Sequence, residues 1–128
     1  MSYYFSRRVK ASFEEARKRL ADALKKEEFG IVMEIDVQDM LKKKLGVDFR
    51  PYRILGICKP GFAYEALKAE DKIGTMMPCG VIVQEFGPGD VEIAAMDPMT
   101  AMQAVGNPAL GGLAQEVREE IKRVVETA

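Results

Sequence analysis

The chain predicts an α+β domain: a mostly antiparallel sheet of about five strands, covered on one face by two long helices, with short helices inserted between strands. Three observations carry this. Strand-like segments alternate with segments of helical spacing along nearly all of the 128 residues. The last two strand-like segments, "CGVIVQEF" and "VEIAAM", are separated only by "GPGD", which makes them a β-hairpin. Two long stretches, one towards each end, repeat apolar residues at helical spacing and form amphipathic helices.

The elements follow in order. "YYFSRRV", residues 3–9, is aromatic and β-branched with rough alternation, a strand. In "SFEEARKRLADALKKEEFG", Ser12 and Glu15 have capping-box spacing, Phe13, Ala16, Leu20 and Leu24 form the apolar stripe, and Gly30 supplies a left-handed stop. "IVMEI", residues 31–35, reads as a buried strand. Asp36 caps a short helix carrying Val37, Met40, Leu41 and Leu45, and Gly46 ends it. Lys42, Lys43 and Lys44 fall in its last turn, where cations suit the helix dipole and solvent. "YRILGIC", residues 52–58, is the next strand, and Pro60 opens "PGFAYEALKAED" at the position a helix start tolerates proline. "KIGTMMP" is a loop before the hairpin. Asp97-Pro98 starts a further short helix, Asn107-Pro108 repeats the device, and Leu110, Leu113, Val117, Ile121 and Val124 mark the face of the long final helix.

The bulk numbers fit one domain, 1–128, with an ordinary apolar fraction of 48%. Net charge is −1 and the pI about 5.6, which argues against a large basic face for nucleic acid. No apolar run approaches a membrane span, and "MSYYFSRRVKAS" has no signal-peptide core, so a cytoplasmic location is expected. The chain has no histidine, which excludes Ser-His-Asp and Cys-His nucleophile systems and histidine metal sites. Two cysteines are too few for a disulfide framework or a four-thiolate zinc site. No phosphate-binding glycine loop is present, and no cofactor is expected.

The strings "LGICKP", "IGTMMPCGVIVQE" and "AAMDP", in this order and separation, resemble the domain-of-unknown-function 302 family. Gly56, Cys58, Pro60, Pro78, Cys79, Val81, Val83, Glu85, Asp97 and Pro98 fall on its pattern, while Lys59, Gly80 and Gln84 depart from it. The resemblance implies a TATA-binding-protein-like β-α-β4-α arrangement and a homodimer. It implies no reaction, and the fold analogy carries no DNA binding.

Cys58 ends one strand and Cys79 begins the next. If those strands are antiparallel neighbours, both thiols lie at one end of the sheet. Cys58 also precedes a helix N-terminus and sits beside Lys59, where positive potential favours a thiolate. Three readings stand: small buried side chains, a reactive or redox thiol pair, and soft ligands for Cu(I) aided by the nearby methionines. Glu85 shares a strand face with Val81 and Val83, so it either faces solvent or enters a pocket that Tyr52, Tyr64 and Arg53 help to line. The leading expectation is a non-catalytic homodimeric domain holding a small ligand between sheet and helices, with Cys58, Cys79, Glu85, Lys59 and Tyr52 as the candidate residues. A thiol protein using Cys58 and Cys79 is the alternative, and a soft-metal or protein-interaction module a weaker one. No nucleic-acid or membrane partner is expected.

Overall fold

Alternating valines and isoleucines on neighbouring strands must find one apolar cover, and here the two long helices supply it. The computed structural model describes residues 2–128. Its elements are β1 (Tyr4–Val9), α1 (Phe13–Lys26), β2 (Gly30–Asp36), α2 (Val37–Leu45), β3 (Tyr52–Cys58), α3 (Pro60–Ala69), β4 (Cys79–Gly87), β5 (Asp90–Met96), α4 (Pro98–Val105) and α5 (Gly111–Thr127). The sheet has five strands in the order β1-β5-β4-β3-β2, each pair antiparallel.

Register sets the core. Leu55 lies opposite Val81, Ile57 opposite Cys79, Val83 opposite Ile93 and Val9 opposite Val91. These residues share the face beneath Leu20 and Leu24 of α1 and Ile121, Val124 and Val125 of α5. Leu20, Leu55, Val83, Ile93 and Val124 are fully buried, and each such side chain contributes about 1.5–3 kcal/mol of transfer free energy. Arg7 and Arg19 donate to the carbonyl of Ala128 at 2.7 and 3.2 Å, which pins the end of α5 to β1 and α1 where helical carbonyls lack partners.

The opposite face carries the row Ser6, Ala94, Ile82, Ile54 and Ile35, one residue from each strand. Towards its β1 side Tyr3 and Tyr4 are exposed, stacked edge to face at 5.0 Å. Gln84 is nearly buried on this face, accepting from Arg50 Nε at 2.8 Å and donating to Glu92 at 2.8 Å.

Most caps are those the sequence indicates. Ser12 Oγ accepts from the Glu15 N–H, Asp36 from Asp39, and Asp97 from Met99. Three local expectations change. The left-handed residue after α1 is Glu28, at φ 65°, and Gly30 is already in β2, because the chain turns two residues sooner than its glycine. β2 is an edge strand with Val32 and Met33 exposed, not a buried one, because no strand among the described residues pairs with its outer side. "KIGTMMP" contains a 3₁₀ turn, Ile73–Met76, that buries Ile73. Lys42, Lys43 and Lys44 stay in solvent, with Lys42 and Lys43 paired to Asp48 and Asp39 at 2.9 Å.

Candidate ligand cavity

The crossover between β3 and β4 begins at Cys58 and ends at Cys79. Because β3 and β4 are antiparallel and Ile57 faces Cys79 in register, both thiols come to the same end of the sheet. Between them α3 runs out with Phe62, Ala63 and Ala66 on its inner side, and the 3₁₀ turn returns through Met76, Met77 and a cis Pro78. Met96 at the end of β5, Met102 on α4, and Leu113 and Val117 on α5 complete the walls. These elements line a half-open cavity of about 310 Å³. That lies at the small end of the range for ligand sites, roughly 300–1,000 Å³.

The walls are apolar with one exception. Among the described lining residues, Lys59 alone carries a charge. Its ammonium does not reach into solvent. It sits 4.8 Å from the centroid of Phe29 and 5.2 Å from that of Phe62, and it donates to the carboxylate of Glu120 on α5. Both side chains are largely buried, so each cancels a charge that would otherwise be stranded in a medium of low dielectric. Glu120 falls on the apolar stripe of α5, three residues after Val117 and next to Ile121. That misplaced acid is the signal by which sequence reading could have found Lys59's partner.

Polar ties hold the short elements in place. Arg118 donates to Asp97 at 3.2 Å while Asp97 caps α4. Asn107 donates to the Ala69 carbonyl at 3.0 Å and to Glu70 at 3.1 Å, joining the end of α3 to the turn before α5. Neither cysteine is in a disulfide. Burial against the apolar walls, with the neighbouring Cys58 adding to it, pushes the Cys79 thiol up to about 11. What Cys79 exposes faces this cavity, so it is a protonated thiol at neutral pH.

The sequence candidates divide. Cys58, Cys79 and Lys59 line the cavity. Glu85 does not: it lies at the far end of β4, beside a bulge, with its N–H on the Pro51 carbonyl at 3.0 Å. Tyr52 borders a second concavity, of about 400 Å³, on the other face of the sheet, beside Gln84. Tyr64 points out from α3, and Arg53 joins an ion-pair network with Glu14, Glu34 and Asp36 over α1 and β2. Of the two readings of Glu85, the structure sets it apart from the cavity that the cysteines line, because β4 is long enough to separate its two ends. Among the described residues no group of three or more Cys, Asp or Glu side chains is placed to hold a metal ion. No helix is long and apolar enough to cross a membrane.

The family model described as domain of unknown function DUF302 matches residues 5–128. The chain belongs to the DUF302 family. The crystal structure of an uncharacterized conserved protein DUF302 from Bacillus stearothermophilus is similar at a TM-score of 0.91 and 26% identity, covering 99% of this chain and 98% of that one. No curated protein matches this chain. Of the residues that carry the DUF302 resemblance in the sequence, Cys58, Pro78, Cys79 and Pro98 all wall the cavity. Gly56 lies beside it on β3, and a Cβ there would come within 2.5 Å of both Met33 Cγ and the Pro78 ring. In this DUF302 domain some of the residues that identify the family thus also shape the cavity, while Val81 and Val83 belong to the core.

Proposed function

We propose that the domain is a non-catalytic homodimer whose cavity holds a small, neutral, mostly apolar molecule. The observation that carries this is the single charged wall residue, Lys59, already neutralised by Glu120. An anionic ligand would leave a net negative charge in an apolar enclosure. A neutral one with one acceptor can take a second N–H of the ammonium while the ion pair persists, and its apolar body fills the space between Phe62, Met96, Met102 and Val117. Glu85 lies away from the cavity and burial holds the Cys79 thiol protonated, so neither of these two side chains supplies a base or a nucleophile there. The dimer reading is supported by the open sheet face. Its nearly buried polar side chain, Gln84, is already satisfied by Arg50 and Glu92, so a second copy covering Ile82 and Ala94 does not strand it.

Native mass spectrometry of the purified protein tests both parts. The expected spectrum shows twice the 14.3 kDa chain mass, with a retained small molecule that is released on denaturation. A monomer across the micromolar range rules out the dimer. A ligand-free spectrum, together with no binding from a panel of neutral apolar compounds, rules out the ligand reading.

A further inference from the structure

The open face of the sheet carries a guanidinium that is held in place but has no anion. Arg50 Nε donates to Gln84 Oε1 at 2.8 Å. Its guanidinium carbon lies 4.4 Å from the ring centroid of Phe49, 5.3 Å from that of Phe86 and 5.8 Å from that of Tyr52. Gln84 is itself nearly buried and donates onward to Glu92. These contacts restrict the guanidinium to one orientation, so an incoming anion meets a fork that is already formed. Yet among the described residues no carboxylate pairs with Arg50, and its two Nη groups have no acceptor. The neighbouring acids, Asp90 and Glu92, both lie on Arg8, at 2.6 and 3.7 Å.

One hydrogen bond away is the concavity of about 400 Å³, which Gln84 and Tyr52 both border. Strand register builds it. Tyr52, Gln84 and Glu92 lie opposite one another across β3, β4 and β5, and Ile82 pairs with Ala94 in the next row of this face. Gly80 follows in the row after that, and a Cβ there would meet nothing within 4 Å, so the floor is bare. Tyr3 and Tyr4 stand exposed at the β1 side. The hollow is thus largely apolar with aromatic walls, and its polar end is at Gln84, beside Arg50.

We propose that this hollow binds a flat, mostly apolar molecule bearing one carboxylate, with the carboxylate on Arg50 and the body over Ile82 and Ala94. The two Nη groups offer parallel N–H donors and a single positive charge, which match a monovalent carboxylate. A phosphate dianion would leave one negative charge uncompensated close to Glu92. The tyrosine rings offer surfaces on which a flat body packs. A second copy resting on this face can close over the occupant. The hollow and the cavity at the cysteines lie on opposite faces and take different ligand classes, since Lys59 is already paired to Glu120 while Arg50 is not paired. An empty cavity therefore leaves this inference standing, and its failure leaves the cavity reading standing.

The test is a calorimetric titration of the full chain with 2-naphthoate, with methyl NMR spectra of the same mixtures. The expected result is one saturable site per chain. The Ile82 and Ala94 methyl signals shift, and those of Met102 and Leu113, which line the other cavity, stay in place. Neutral 2-naphthamide in place of the acid, or Arg50→Gln in the protein, weakens binding by about 10-fold or more, the loss of one charge-assisted bidentate contact. Arg50→Lys recovers only part of this, because the charge returns without the fork. Gly80→Leu occupies the bare floor and abolishes binding without touching Arg50, in a variant whose circular dichroism matches the parent. Unchanged affinity in Arg50→Gln or in Gly80→Leu overturns the proposal. So do equal binding of 2-naphthamide, shifts confined to Met102 and Leu113, and the lack of any saturable binding of 2-naphthoate to the unmodified chain.

Discussion

The half of the molecule that packs α1 and α5 on the sheet and the half that α3 and α4 build beyond the strand ends are held by different forces. In the first, two long helices with continuous apolar stripes bury Leu20, Leu24, Ile121 and Val124 on Val81, Val83 and Ile93. In the second, α3 buries no side chain and α4 buries only Pro98. There the elements are tied by Lys59 to Glu120, Arg118 to Asp97, and Asn107 to Ala69 and Glu70. The contrast teaches where a cavity arises. Helices of 8 and 10 residues present too little apolar surface to close over the ends of the strands. Directional polar contacts can fix such helices at a distance without filling the space behind them.

The largest effects should separate these halves. Leu20→Ala in the closed half costs about 3–5 kcal/mol, because the site is fully packed and collapses little. Met102→Ala on the cavity wall costs less than about 1 kcal/mol, since a void already borders it. Urea denaturation of both variants checks this, and equal losses would show that the two halves are packed alike.

A smaller effect sharpens the role of the ion pair. Lys59→Met leaves the buried Glu120 without a partner and costs about 2–4 kcal/mol, discounted for partial exposure. Adding Glu120→Leu should restore most of that stability, because two apolar side chains replace two mutually dependent charges. If the double variant is as unstable as Lys59→Met alone, the pair is not what the cavity half depends on.

The smallest effect is in pH. The folded state holds the Cys79 proton until about 11, whereas the unfolded chain releases it near 9.0. The folded state therefore binds more protons within that window, so stability is full below it and falls as pH rises through it, by about 2–3 kcal/mol in all. Cys79→Ala should flatten the alkaline limb of a stability-against-pH curve measured by denaturant melts. A limb of the same slope in Cys79→Ala assigns the loss to another group.

How much of this was legible beforehand depended on the range of the interaction. The capping pairs Ser12–Glu15, Asp36–Asp39 and Asp97–Met99 lie within a few residues of each other, and their chemistry announced them. The apolar stripe of α5 was legible as one face, but its division was not. Leu113 and Val117 go to the cavity while Ile121 and Val124 go to the sheet, and that depends on where α5 crosses the strands. The choice between the two readings of Glu85 stayed open for a related reason. Alternation tells which face a residue shares with Val81 and Val83, but not which end of the strand meets a cavity.

By itself, then, the sequence determined the family, the antiparallel α+β frame, the helix starts, and the fact that Cys58 and Cys79 end and begin successive strands. Periodicity and capping act over one or two turns, and such patterns are written directly in residue order. Only the tertiary structure decided that Lys59 turns inward to Glu120, 61 positions along the chain, and that β2 lies at an edge. It also decided that the space behind the cysteines is left unfilled. Those outcomes depend on the position of one packed element against another, which residue order constrains only through the fold as a whole.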